Sequence, residues 1–271
     1  MLKNAFFSVV IPTLNEENYL PKLLSDFAKQ KQKNFCVIVV DANSVDKTKQ
    51  RALKFSKFFP LTFYTVDKQN VSYQKNFGAQ KAKGVYLLFL DADARIGTMF
   101  TKNLTIDILK KKGSLFLPTL IAEYGSAKNR ALFKLINYVI ELSQFLTKPL
   151  SSGGSLFVSK KLFSDLKGFK ENLYMSEDHD LVQRARKQGV KAKFLKDIRV
   201  MVCFRRMKKE GQIIVLYKYL LALIYMLVDR KMTDKVFMYE MGGGRYKDVV
   251  REKRLQKIIR KTSAFLVDSL S

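Results

Sequence analysis

The chain has 271 residues with an apolar fraction of 47%, which is enough for one large or two small domains and excludes a disordered chain. Its 50 Lys and Arg against 24 Asp and Glu give a formal charge of +26, which favours polyanions: nucleic acid, anionic lipid head groups or phosphorylated substrates. The lysines are spread over the whole chain and no nucleic-acid-binding motif accompanies them, so a Lys-rich solvated surface explains much of the excess.

Met1-Leu2-Lys3-Asn4 leads straight into a strand, so no signal peptide is expected ahead of the fold. Phe6–Ile11 is a continuous apolar run closed by Pro12 and predicts a buried strand. Asn15-Glu16-Glu17-Asn18 reads as a helix start, with Leu20, Leu23, Leu24 and Phe27 on one apolar face. Phe35–Val40 predicts a second strand ending at Asp41. Ser44 is the expected cap of a helix whose Val45, Ala52 and Phe55 face inward. A third strand follows over Leu61–Val66, then a helix over Ser72–Ala82 stopped by Gly84, then the apolar run Val85–Leu90. Strands alternating with helices imply a parallel sheet with right-handed crossovers, an α/β Rossmann-like three-layer domain. No Gly-x-Gly-x-x-Gly follows the first strand, which disfavours a dinucleotide dehydrogenase.

The run Val85–Leu90 ends in Asp91-Ala92-Asp93. Open α/β sheets bind ligands at the carboxyl ends of their strands. Hard divalent cations are often held by one or two carboxylates plus substrate phosphates. These acids therefore read either as a metal–diphosphate site or as a polar turn closing a strand.

Beyond Asp93, Met99–Lys112 is helical and Ser114–Leu120 strand-like. Ala127–Leu146 is a long helix with apolar residues around much of its girth, which implies burial on several sides or contact with lipid. Ser151-Ser152-Gly153-Gly154 is a loop before a strand over Ser155–Val158. A helix over Lys160–Leu166 ends at Gly168-Phe169, and one over Asp178–Gln188 stops at Gly189. Ala192–Leu195 and Val200–Phe204 read as two short strands. Cys36 and Cys203 lie in apolar strand-like runs and read as buried reduced thiols, with no Cys/His cluster for zinc. Ile213–Val228 is nearly unbroken apolar sequence with basic residues at both ends, shorter than a spanning helix of about 20 residues, and reads as a re-entrant or interfacial helix or as a helix packed on the main domain. Gly242-Gly243-Gly244 breaks the chain, and 249–266 then has the pattern of a basic amphipathic helix.

Five segments stand in one order: Val9-Val10-Ile11-Pro12-Thr13-Leu14-Asn15-Glu16; Val39 to Thr48; Asn76 to Gly84 leading to Leu90-Asp91-Ala92-Asp93-Ala94; Gly153-Gly154 before Gly168-Phe169; and Glu177-Asp178-His179-Asp180-Leu181 to Arg184. Over roughly the first 200 residues this resembles a family 2 glycosyltransferase of GT-A fold. The resemblance implies a GT-A Rossmann-like three-layer α/β/α sandwich with a mixed, mainly parallel sheet, a catalytic unit over 1–205. The apolar run and the basic amphipathic pattern beyond it add a C-terminal helical, basic, membrane-associating extension over 206–271.

It further implies inverting transfer of a sugar from a nucleotide-diphosphate donor to an acceptor hydroxyl or lipid-linked phosphate, with Mn²⁺ or Mg²⁺, as in the synthesis of cell-envelope polysaccharides or glycolipids. Asp41 would contact the base, with Ala42 standing where the family usually has a second acid. Pro12, Thr13, Asn15, Glu16 and Asn76 would line the nucleotide-sugar pocket. Asp93 would bind the metal, and Asp91 the ribose or the metal's water shell. Gly153, Gly154 and Glu177 would border the donor sugar and acceptor, and Asp178 would be the catalytic base. Saccharide or lipid-linked acceptors and an anionic membrane surface, not nucleic acid, are the expected partners, at the inner face of the cell membrane.

The chemistry asks for the same groups. A diphosphate leaves only if its developing charge is neutralised, and inversion needs a carboxylate on the opposite face to take the acceptor proton. By position alone Glu177 and Asp178 are also ordinary first-turn acids favoured by the helix dipole. His179 adjoins Asp178 and reads either as a group that tunes it or, since it projects about 100° round the helix from its neighbour, as a variable position, the second reading being favoured. Asp180 and Arg184 read as a local i,i+4 ion pair. Two other classes compete. A nucleotidyltransferase would carry a Gly-rich basic phosphate loop where Pro12-Thr13-Leu14-Asn15-Glu16 stands. A non-enzymatic basic protein would bind membrane or nucleic acid through charge, with steep salt dependence.

Overall fold

Alternating buried runs and amphipathic stretches fold in the order β1 (Phe7–Thr13), α1 (Leu20–Ala28), β2 (Phe35–Asp41), α2 (Thr48–Leu53), β3 (Leu61–Thr65), α3 (Val71–Lys81), β4 (Tyr86–Phe89), β5 (Arg95–Ile96), α4 (Phe100–Lys111), β6 (Leu115–Ala122), α5 (Ala127–Ser143), β7 (Leu156–Ser159), α6 (Lys160–Asp165), α7 (Glu177–Lys187) and β8 (Lys193–Val202). This is a computed structural model, and it describes residues 5–122, 127–173 and 176–203. The expectations for Met1–Asn4, Ile213–Val228, the glycine run at 242–244, 249–266 and the boundary at 205 lie outside the described residues.

The eight strands form one sheet in the order β3-β2-β1-β4-β7-β6-β8-β5. β1 to β4 are mutually parallel, β7 runs antiparallel to both β4 and β6, and β8 is parallel to β6. Every residue of β1 is buried, as expected of a central strand covered on both faces. Its side chains alternate between two cores. Phe7, Val9 and Ile11 join Leu23, Phe27 and Phe35 on one face. Val10 joins Val40, Phe89, Val158 and Leu181 on the other. Gly84 brings α3 into β4 at close quarters: a Cβ there would meet the backbone of Phe7 and Ser8, and the Ser8 hydroxyl accepts the Gly84 N–H.

Several local expectations change. β1 runs through Pro12 to Thr13. Proline is tolerated in this central strand because the β1–β4 pairing ends at Val10–Phe89, so no partner loses a bond to the missing N–H. Residues 15–18 are a loop, not a helix start, with Asn15 at φ 54 and α1 beginning only at Leu20. Ser44 does not cap α2, which starts at Thr48, and Val45 is exposed. The two short strands expected near the C-terminal end are one, β8, whose register against β6 jumps between Pro118 and Thr119. Cys36 and Cys203 are only half-buried.

Candidate active site

In the sheet β3-β2-β1-β4 the chain leaves β1 to one side for β2 and β3, then returns to the other side for β4. The crevice outside the carboxyl ends of β1 and β4 is such a switch point, where open α/β sheets bind ligands. Thr13, Asp41 and the Asp91–Asp93 turn all stand at that end.

Asp41 is buried, and its carboxylate is held by three donors. Thr13 Oγ1 and Ser44 Oγ donate to Oδ1 at 2.8 and 2.6 Å, and the Ser44 N–H donates to Oδ2 at 2.7 Å. The loop after β1 is stitched to the loop after β2. The Asn15 N–H donates to Ser44 Oγ, the Glu16 N–H to Thr48 Oγ1 and the Glu17 N–H to Asp46, while Asn15 Oδ1 accepts from the Val45 N–H. Glu16 is buried in this seam. Pro12, Thr13, Asn15, Glu16 and Asp41 thus lie together at the ends of β1 and β2. Ser44 finds its use here as the bridge between the two loops.

α3 supplies the floor. Asn70 caps it by accepting the Tyr73 N–H. Gln74 donates to the carbonyls of Thr13 and Val40, closing the ends of β1 and β2. Asn76 is placed differently from the other expected nucleotide contacts. Its amide donates to the Phe169 carbonyl and accepts the Phe169 N–H, so it is committed to fixing the 168–171 loop. Lys75, which the sequence reading passed over, is 2% exposed and donates to Glu177 Oε1 at 2.7 Å. Burial would lower its pKa. The charges of Glu177, Asp91 and Asp178 outweigh burial and raise it well above the ordinary lysine value.

Ala92 and Ala94 point into the core, while Asp91 is exposed and Asp93 half-exposed. Among the described residues no three His, Cys, Asp or Glu side chains converge on a metal position. Two carboxylates at a strand end suit a hard divalent ion whose remaining positions are filled by phosphate oxygens and water, as with Mg²⁺ or Mn²⁺. The 151–154 loop closes over them. Gly153 and Gly154 have left-handed backbone at φ 53 and 48, and a Cβ on Gly154 would strike the Asp91 carboxylate.

Asp178 lies in the first turn of α7, 5% exposed. Burial would push its carboxyl up. The charge and hydrogen bond of His179, with the charge of Lys75, hold it well below the usual carboxylate range. His179 Nδ1 sits 3.1 Å from Asp178 Oδ1. The 100° step expected to separate the two residues does not do so, because both side chains lean together at the helix start. Burial lowers the imidazole's pKa, but the Asp178 carboxylate raises it above the ordinary histidine value. Asp178 Oδ2 is buried with no hydrogen-bond partner among the described residues, and the hydroxyls of Ser151 and Ser152 are in the same condition. Arg184 pairs with Asp180 at 2.6 Å as expected. It also donates to the carbonyls of Leu166 and Gly168, docking α7 on the turn after α6.

Comparison with known proteins bears on this geometry. The description "Glycosyl transferase family 2" fits residues 8–166. A dolichyl N-acetyl-α-D-glucosaminyl phosphate 3-β-D-2,3-diacetamido-2,3-dideoxy-β-D-glucuronosyltransferase of Methanococcus voltae is 29% identical over 166 residues, 58% of this chain and 49% of that protein. A GalNAc(5)-diNAcBac-PP-undecaprenol β-1,3-glucosyltransferase of Campylobacter jejuni is 29% identical over 63% of this chain and 56% of its own. The chain thus spans about half the length of these two relatives. Among solved structures, the mannosyltransferase PcManGT of Pyrobaculum calidifontis, in complex with GDP-Man and Mn²⁺, superposes with a TM-score of 0.66 at 15% identity, over 96% of this chain and 70% of that one. Staphylococcus aureus TarS 1–349 in complex with UDP-GlcNAc superposes at 0.61 and 24% identity, over 73% of this chain and 58% of that one. With over half of its length matched and the GT-A architecture in place, the chain belongs to glycosyl transferase family 2.

Proposed function

We propose that the chain transfers a sugar, with inversion, from a nucleotide-diphosphate donor to an acceptor hydroxyl or lipid-linked phosphate. One observation carries this reading most strongly. Asp178 Oδ2 is a buried carboxylate oxygen with no hydrogen-bond partner among the described residues, and one cation, Lys75, acts on both its carboxylate and that of Asp91. A base and a metal-type carboxylate thus share one site. The names of the relatives, which carry dolichyl phosphate and undecaprenol diphosphate, support a lipid-linked acceptor. They also support work at the membrane face where nucleotide sugars are supplied. In this reading residues 1–205 are the catalytic unit and 206–271 its membrane-associating extension.

Thr13, Asn15, Glu16 and Asp41 form the rigid wall against which the nucleoside lies, with Pro12 just beyond the last β1–β4 pair. Mn²⁺ or Mg²⁺ held by Asp93 and Asp91 would neutralise the charge that develops on the leaving diphosphate. The Gly153–Gly154 turn passes close over Asp91 and brings backbone N–H groups to the donor sugar, with Ser151 and Ser152 on the acceptor side. Asp178 accepts the acceptor's proton at Oδ2 while His179 occupies Oδ1, so the proton has one defined destination. Glu177 is taken up by Lys75, which leaves Asp178 as the base of this acidic pair.

Three outcomes are expected. Asp93→Ala loses the Mn²⁺-dependent rise in melting temperature that a nucleotide sugar gives the wild type, since a ligand bound only to the folded state stabilises it; an unchanged rise contradicts the metal assignment. Asp178→Asn keeps that rise but lowers kcat by at least about 10²-fold, because it removes an acceptor used only in the transition state; near-normal turnover would place the base elsewhere. The third concerns pH. The protonated His179 holds Asp178 in its ionised form, so removing it lets the Asp178 pKa rise and the base become protonated at higher pH. The acid limb of the kcat–pH profile in His179→Gln therefore moves to higher pH, and a limb left in place would show that His179 does not act on the base.

A further inference from the structure

α5 has two apolar faces and buries only one. Phe133 and Ile140 pack into the second core with Ile136 against them. On the other side Leu135, Tyr138, Val139, Leu142, Phe145 and Leu146 are between 42 and 69% exposed. Their spacing follows the helix, so they form one stripe running past its C-terminal end. Large contiguous apolar patches are uncommon on soluble monomers and mark interaction surfaces.

The rim of this stripe is basic. Lys134 is exposed beside Leu135. The Lys191 ammonium lies 3.4 Å from the centroid of the Phe145 ring, and Arg186 donates to the Leu146 carbonyl. The one carboxylate on α5, Glu141, is engaged by Lys196 at 3.0 Å. We propose that this face of α5 is the surface on which the protein lies against a bilayer containing anionic lipid. An apolar stripe edged by Lys and Arg is the pattern of an interfacial helix, whose apolar residues enter the acyl boundary while its cations meet head groups. Charge separates this occupant from the others. The apolar run at 213–228 carries Lys and Arg at both of its ends and Lys218 inside it, so laying it here would set those basic residues against a basic rim. A second copy in a two-fold pair would set the rim against itself.

The stripe leads to the catalytic crevice. The Leu150 N–H donates to Ser143 Oγ, and Gln144 donates to the Leu150 carbonyl, so the end of α5 grips the residue before Ser151. Ser151 stands beside Asp178. A lipid-linked acceptor could keep its tail in the bilayer at Leu142, Phe145 and Leu146 while its reacting group reaches Asp178. That clause rests on the transferase reading, whereas the surface itself does not.

The chain has no tryptophan, so a single reporter can be placed on the full-length protein. Leu142→Trp puts it on the stripe, and Phe58→Trp puts it on an exposed site beside the opposite core. With vesicles of phosphatidylcholine and phosphatidylglycerol, the Leu142→Trp emission should shift to the blue and be quenched by brominated acyl chains, while Phe58→Trp does neither. The Leu135→Glu/Leu142→Glu double variant should bind these vesicles about tenfold or more weakly and keep the wild-type melting shift with UDP-GlcNAc or GDP-mannose. A Leu142→Trp emission already blue without vesicles and indifferent to them would mean that the chain or a second copy covers the face, and would overturn the proposal. A red emission that ignores vesicles would overturn it as well. Quenching in a protein that binds no nucleotide sugar would uphold the surface and sink only the acceptor clause.

Discussion

The site depends on one buried cation. Lys75 is almost fully shielded from water, where an unpaired ammonium would be very costly. It is tolerated because Glu177 accepts from it at 2.7 Å and because Asp91 and Asp178 lie close enough for their charges to count. Conversely, three carboxylates in one crevice would repel one another without it. Lys75 therefore sets one compensating charge against the metal-type acid and the base together. It links α3 to α7 across the site and lies 5.3 Å from the centroid of the Phe169 ring, on the loop that Asn76 fixes.

The fold places these groups by strand ends and stitches, with little help from long helices. The sheet reverses direction of travel between β1 and β4, opening the crevice. Side chains then fasten the loops that border it: Ser44 and Thr48 hold the loop after β1, and Gln74 closes the two strand ends. Arg184 seats α7 on the turn after α6, and that seat carries Asp178. Few of these bonds are local in sequence, so the wall and the base are rigid only once the whole sheet has formed.

Much of this was legible in the sequence because it sits in contiguous patterns. The apolar runs of β1, β2 and β4 and the carboxylates after them need only a short window, and the Asp91–Asp93 and Glu177–Asp178 segments stand at element ends. What escaped was set by contacts between distant segments. Asn15-Glu16-Glu17-Asn18 carries helix-start residues, yet the N–H groups of Asn15, Glu16 and Glu17 donate to Ser44, Thr48 and Asp46, which hold it as a loop. The 100° between the side-chain directions of Asp178 and His179 does not register how far an imidazole reaches. Lys75 did leave a trace. It recurs with Ser72, Gly78 and Ala79 on the face of α3 that turns inward, and a lysine on a small-residue face needs a partner. The sequence of α5 allowed burial on several sides or contact with lipid; the structure buries one face and exposes the other.

The most direct test of this account is a double-mutant cycle on the buried pair, read by denaturant unfolding. Lys75→Met and Glu177→Gln are expected to cost about 3–5 kcal/mol each, since each strands a charge or a polar partner in the interior. The double variant is expected to cost well under their sum, leaving a large coupling energy. Additive losses, or a Lys75→Met protein as stable as the wild type, would contradict the claim that this one cation holds the site together.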